Sequence, residues 1–166
     1  MQVMSSIRGF VQLDHAELQR VDLAQVVTAV VDRERGALRP DTDVVHDLAP
    51  GLVIEIDPRR VSEALATLIR NAGESFDGPG KLTIRLATAE ATVHIDIEDT
   101  GRGMTADLVD GLFDIDFSHG ERTRARFGLP LCRSIVQRHG GSVGITSEPG
   151  VGTTARIRLP SGDPDA

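Results

Sequence analysis

The run Asp99-Thr100-Gly101-Arg102-Gly103-Met104 sets a carboxylate immediately before two glycines, which let backbone approach a flat ligand closely. Val93, Ile95 and Ile97 precede it, so Asp99 is expected at the end of a strand whose other face is apolar. A carboxylate placed there can accept a hydrogen bond from an exocyclic amine, which selects adenine. Two other readings stand beside this one: a plain Asp-Thr-Gly turn, and a dinucleotide loop, since Gly101 to Ala106 matches G-x-G-x-x-G/A. The dinucleotide loop requires a parallel strand after its helix, whereas Gly111 and a polar stretch follow here. Asn71 is the second candidate: its amide oxygen is a hard neutral ligand of the kind Mg²⁺ accepts when phosphate oxygens and waters complete the octahedron. The plainer role for an asparagine near a helix end is a cap or a solvated side chain. No Walker loop, G-x-S-x-G elbow, H-E-x-x-H or cysteine pair is present.

The elements that must position these residues are legible from periodicity. Asp22 is placed to cap a helix over 22–38 with Leu23, Val26, Val27, Val30 and Val31 on one face. Two short strands, 44–48 and 53–56, follow, separated by Pro50-Gly51. The clearest helix covers 58–76, where Val61, Ala64, Leu65, Leu68, Ile69 and Ala72 recur every three or four residues, with Asp57 as cap and Pro58 in the first turn. Alternating strands are expected over 81–87 and 91–99, the second delivering the Asp99 loop. A short helix near 105–113, a long polar loop over 114–126 and a helix over 128–139 come next, the last ended by Gly140-Gly141. Strands 142–147 and 153–159 flank the Pro149-Gly150-Val151-Gly152 turn. The lead-in 1–20 reads as irregular or helical, and 161–166 as a disordered tail. The alternation predicts a two-layer α/β sandwich with a mixed, mostly antiparallel sheet covered by three helices.

Composition narrows the function. At 166 residues the chain suits one globular domain, and the net charge of −7 argues against a nucleic-acid surface. Five Phe with no Trp and no Tyr leave no aromatic platform for bases. The lone Cys132 forms no internal disulfide, which fits a reducing cytoplasm. No apolar run approaches the roughly 20 residues that span a bilayer.

Taken together, separated segments resemble the boxes of the GHKL superfamily, specifically the catalytic ATP-binding domain of bacterial sensor histidine kinases. DPRRVSEALATLIRNAGESF (57–76) resembles the N box, DTGRGM (99–104) the G1 box, LFDIDFS (112–118) the F box, FGLPLCRSIVQRHGG (127–141) the end of the G2 box and its helix, and PGVGTT (149–154) the last glycine box. LDHAELQRVDL (13–23) is similar to the junction after the dimerisation helices. The resemblance implies the Bergerat fold over 21–160, with 1–20 a remnant of that junction. It implies ATP and Mg²⁺ as cofactors, with Asn71 on the metal and Asn71, Glu74, Asp99, Gly101, Gly103, Met104, Arg124, Arg126, Gly128, Leu129 and Thr153 around the nucleotide. The implied activity is transfer of the γ-phosphate to a histidine on a separate dimerisation domain, with a response regulator as further partner.

Three departures from the family pattern stand out. Arg124-Ala125-Arg126-Phe127-Gly128-Leu129 replaces the first two glycines of G-x-G-L-G-L, so Arg124 or Arg126 is expected to reach phosphate by side chain, or else to form a solvated cluster. Thr67 stands one turn before Asn71, where ATP-hydrolysing relatives carry a general-base glutamate, which predicts little intrinsic ATPase activity. His15 lacks an acidic residue after it and is not expected to accept phosphate, while His46, His94, His119 and His139 read as strand, lid or core residues. The altered lid keeps a second function open, a degenerate domain acting as a regulatory interaction module. A serine kinase of the anti-sigma type shares the nucleotide boxes, and the junction-like lead-in argues against it.

Overall fold

The computed structural model describes residues 16–113 and 123–162, except the side chains of 123–127. Expectations for 1–15, 114–122 and 163–166, including those for His15 and His119, lie outside the described residues.

The first described element is a strand, β1 (Gln19–Asp22), where an irregular or helical lead-in was expected. It pairs antiparallel with β3 (Val53–Ile56), Gln19 opposite Ile56 and Asp22 opposite Val53. Four residues with no alternation carry too little pattern to announce a strand, and only the β3 edge makes them one. Helix α1 (Leu23–Glu34) starts where expected, Asp22 accepting the Ala24 N–H at 3.0 Å. It ends earlier than 38, tightening into a 3-10 turn at Arg35–Ala37 that contains Gly36.

Helix α2 (Pro58–Glu74) carries the core. Asp57 caps it by accepting from Arg59 N and Arg60 N, and Val61, Ala64, Leu65, Leu68, Ile69 and Ala72 are buried along one stripe. Each fully buried leucine or isoleucine contributes about 1.5–3 kcal/mol, so truncating Leu65 to alanine costs about 2–5 kcal/mol with its cavity.

The main sheet runs in the order β2 (Thr42–Leu48), β4 (Gly80–Ala89), β5 (Thr92–Asp99), β7 (Gly152–Pro160), β6 (Ser142–Glu148). β2 is parallel to β4, and every other pair is antiparallel. The two strands around Pro50-Gly51 therefore do not join each other: β2 enters the main sheet and β3 takes β1. On the inner face, Leu82, Ile84 and Leu86 meet Val93, Ile95, Ile97, Ile157 and Leu159, all nearly or fully buried. The outer face is ionic, with Arg156 gripping Asp96 through two bonds of 2.6 Å and Arg85 bound to Glu98 at 2.6 Å.

Helix α3 (Ala106–Asp110) is shorter than expected. Helix α4 (Thr123–Arg138) begins five residues before the expected 128, so 123–126 are helical where a loop was expected. Arg124, Ala125 and Arg126 are good helix formers, and the charge of the two arginines concealed that propensity. Pro130 lies inside α4 and offers no N–H to the preceding turn. Beyond it Leu131, Cys132, Ile135 and Val136 are buried, burial pushing the Cys132 thiol up to about 12. Gly140, at φ +74, closes the helix. The result is a two-layer α/β sandwich, as the alternation predicted.

Candidate functional site

Period two carries Asp99 inward. Val93, Ile95, Ile97 and Asp99 share one face of β5, so the carboxylate lies on the apolar side and not opposite to it, and only 6% of the residue is exposed. The expectation of an apolar other face is thus corrected by strand parity. A carboxylate in that position must be satisfied, and two donors meet at its Oδ1: the Gly101 N–H at 2.8 Å and the Ser75 hydroxyl at 2.9 Å. Burial pushes the Asp99 carboxyl above its ordinary range, against the pull of these donors, the Thr153 N–H and the Arg102 charge.

Glycine is required around this carboxylate by close approach. A methyl at Gly101 would overlap Ser75 Oγ; at Gly103, where φ is +65, it would overlap the Glu148 carbonyl oxygen; at Gly152 it would overlap the Asp99 carbonyl. The loop is stapled on both sides. Arg102 N donates to Ser75 O at 3.0 Å and its carbonyl accepts from Gly150 N at 2.8 Å, while its guanidinium reaches Glu74 O at 3.2 Å and Asp77 at 3.5 Å. Met104 N donates to Ser147 Oγ at 2.9 Å, and that hydroxyl also meets Gly152 O at 3.0 Å and Thr153 Oγ1 at 2.7 Å.

Thr67 and Asn71 of α2 and Ser75 at its C-cap repeat every four residues and so line one edge of the helix. The line spans about 12 Å at 1.5 Å rise per residue. Ser75 holds Asp99 at one end, and at the other Thr67 packs on Gly128 of α4, where a methyl would come within 2.8 Å of Thr67 Cγ2. Asn71 lies between them, half-buried, its amide without a hydrogen bond among the described residues. A neutral amide oxygen so placed fits a magnesium ion brought in by phosphates. Among the described residues no group of three or more His, Cys, Asp or Glu could hold a metal ion.

The structure thus brings Asn71, Asp99, Gly101, Gly103, Met104, Gly128 and Thr153 around one edge of the sandwich. Glu74 is exposed, and its carbonyl oxygen, not its carboxylate, joins the loop by accepting from Arg102. Leu129 is 4% exposed and packs in the core, on the α4 stripe that covers the sheet. The side chains of Arg124 and Arg126 lie outside the described residues. His94 bonds to Thr92, His46 is exposed on β2, and His139 is half-buried at the end of α4. Sequence reasoning missed Ser75, Ser147 and Arg102. Lone hydroxyls leave no periodic trace, though the four-residue spacing of Ser75 from Asn71 was there to be read.

Residues 56–163 match the family described as histidine kinase-, DNA gyrase B- and HSP90-like ATPase. The chain is 32% identical over 168 residues to the C4-dicarboxylate transport sensor protein DctS of Rhodobacter capsulatus, covering 95% of this chain and 25% of that protein. It is 30% identical over 168 residues to the sensor histidine kinase ZraS of Escherichia coli K12, covering 95% and 34%. The chain therefore spans about a quarter to a third of these relatives. Among solved structures, the catalytic domain of the histidine kinase ThkA superposes with a TM-score of 0.74 at 22% identity, covering 88% of this chain and 97% of that one. Full-length ShkA in complex with AMPPNP gives 0.84 at 20% identity, covering 96% and 35%. At that identity, the structures speak for the fold. Among the described residues no helix is long and apolar enough to cross a membrane.

Proposed function

The chain belongs to the histidine kinase-, DNA gyrase B- and HSP90-like ATPase family, and from that premise we propose that it binds Mg²⁺-ATP and presents the γ-phosphate to a histidine on a dimerisation domain. The observation that carries this reading is the edge of α2. A buried carboxylate suited to an exocyclic amine lies at one end, an amide oxygen without a hydrogen bond among the described residues in the middle, and the close contact of Thr67 with Gly128 of α4 at the other.

Each residue then has one task. Asp99, held by Ser75 and Gly101, accepts from the adenine amine. Gly101 and Gly103 keep the loop thin enough for the base to lie against it, with Met104 and Thr153 at its margin. Asn71 offers its amide oxygen to the metal, which when bound neutralises phosphate charge and orients the terminal phosphoryl group. Thr67 spends its hydroxyl on the Glu63 carbonyl at 3.0 Å and has no basic group to activate water, which favours transfer to a protein acceptor over hydrolysis. Arg124, Arg126 and Glu74 are assigned to the phosphate end, and a response regulator to the step after the histidine.

The experiment is calorimetric titration of ATP with and without Mg²⁺, followed by transfer of labelled γ-phosphate to the dimerisation domain of the same kinase supplied in trans. Saturable, Mg²⁺-strengthened binding and a labelled histidine are expected. One observation favours a second reading: helix formers occupy 124–126 where the family's lid carries glycine, and α4 extends through them. A nucleotide-free regulatory module is the function left if no binding saturates at millimolar ATP.

A further inference from the structure

Ser75 follows directly on α2, and its hydroxyl faces two acceptors, the Ala72 carbonyl at 2.7 Å and Asp99 Oδ1 at 2.9 Å. A hydroxyl has one proton, so it serves one of them fully at a time. Pointed at Asp99, it joins the Gly101 N–H on the same oxygen and holds the carboxylate as a pure acceptor. Turned to Ala72, it shows Asp99 a lone pair, which suits a protonated carboxyl that donates. The rotor has little other freedom, because Ser75 and Gly101 are in such close contact that a methyl on Gly101 would overlap both Oγ and Cβ.

We propose that Ser75 is a positioning residue that sets the base specificity of the site: by donating to Asp99 Oδ1 it keeps the carboxylate an acceptor, favouring a purine with an exocyclic amine over one with a carbonyl oxygen at that position. The inference rests on the reading of this pocket as an adenine site. The chemistry is a matter of sign. An ionised carboxylate attracts an amine and repels a carbonyl oxygen, whereas a protonated one donates to the carbonyl and loses the distinction. Burial of Asp99 works toward the protonated form, and the Ser75 hydroxyl is among the groups that oppose it.

The test measures binding of ADP and inosine diphosphate, which carries the carbonyl, by calorimetry from pH 5.5 to 8.5. The proteins are the wild type, Ser75→Ala, Asp99→Asn and the double variant. Wild type prefers ADP at neutral pH, with the preference shrinking as pH falls. Ser75→Ala reduces that preference roughly tenfold, the scale of a hydrogen bond to a charged group, and shifts its midpoint to higher pH. In the Asp99→Asn background Ser75→Ala adds nothing, because Ser75 acts through the carboxylate. A ¹³C titration of the Asp99 carboxyl in the unliganded protein reads the same upward shift without any ligand. If wild type and Ser75→Ala bind both nucleotides alike with the same pH midpoint, or if the two substitutions add, the role of Ser75 is overturned and the adenine site stands. If wild type binds no ADP, both readings go together.

Discussion

The backbone N–H of Asp57 donates to Nε2 of His139 across 3.0 Å, joining residues 82 positions apart. An amide can only donate, so Nε2 is the acceptor and Nδ1 carries the proton toward the Ile135 carbonyl at 2.8 Å. One neutral tautomer thus fastens the end of α4 to the start of α2. Asp57 has a further bond from its side chain, whose Oδ2 accepts the Glu17 N–H at 3.0 Å. The upstream chain, α2 and α4 therefore meet at one buried residue, itself 1% exposed.

His139→Ala leaves the Asp57 N–H without its partner, and an unsatisfied buried donor costs about 1–3 kcal/mol. Urea unfolding is expected to give a lower midpoint with an unchanged slope. His139→Gln, which can offer an amide oxygen to the same N–H, recovers part of the loss. Equal stability of the wild type and His139→Ala would show that the bond contributes nothing net.

Asp57 and Asp99 titrate in opposite senses. Burial alone raises Asp57, but bonds from the N–H groups of Glu17, Arg60 and Arg59, with the Arg59 charge, outweigh it and hold the carboxyl below its usual range. Stability from a depressed carboxyl is present above the unfolded value, about 3.9, and is lost as pH falls through the folded one. For Asp99, raised chiefly by burial, the sign reverses: its contribution is complete below the unfolded value and is lost as pH rises through the folded one. Asp99→Asn removes that loss. It is expected to raise the unfolding midpoint of the nucleotide-free protein at pH 7, with the gain vanishing near pH 4, while ADP affinity falls at least tenfold. A midpoint at pH 7 that drops below wild type would contradict this account.

Much of this was written in the pattern of residues, and what escaped it escaped for physical reasons. Asp22 and Asp57 announced their helices because a cap and its amides lie within three residues of each other. The partners of β2 and β3 were hidden: pairing Thr42 with Gly80 depends on the packing of α2 between them, which no local window contains. The inward aim of Asp99 was present in the parity of Val93, Ile95 and Ile97, yet hydrophobic bias makes a carboxylate on that face the less expected choice. Ser75 and Ser147 act on Asp99 and Met104 over 24 and 43 residues, and a hydroxyl carries no signal of such a partner.

Gly103→Ala tests the loop backbone apart from its chemistry. The added methyl meets the Glu148 carbonyl at a φ of +65, so strain and overlap act together. About 1–3 kcal/mol of destabilisation is expected from such a substitution. Nucleotide affinity falls as well, because the contact lies between the loop and the β6–β7 turn. Gly36→Ala, which meets open space, is the control and leaves both unchanged within about 0.5 kcal/mol. The comparison is read by thermal unfolding and ADP titration of the two variants.

Gly128 and Thr67 are matched in size, and this match can be exchanged. A methyl on Gly128 would come within 2.8 Å of Thr67 Cγ2, closer than carbon atoms sit in packed interiors, so α4 is expected to shift away from α2 at the end proposed to face the phosphates. Gly128→Ala is therefore expected to weaken ATP binding several-fold and to leave ADP, which lacks the terminal phosphate, less affected. Thr67→Ser removes the opposing methyl while keeping the hydroxyl that bonds to the Glu63 carbonyl, and on its own changes little. Combined with Gly128→Ala it restores the spacing of the two helices, so the double variant regains most of the lost ATP affinity. Affinities for the four proteins form a cycle, and its interaction term is the measurement. A double variant as weak as Gly128→Ala alone would mean that the glycine serves the bending of the chain and not the spacing of the two helices.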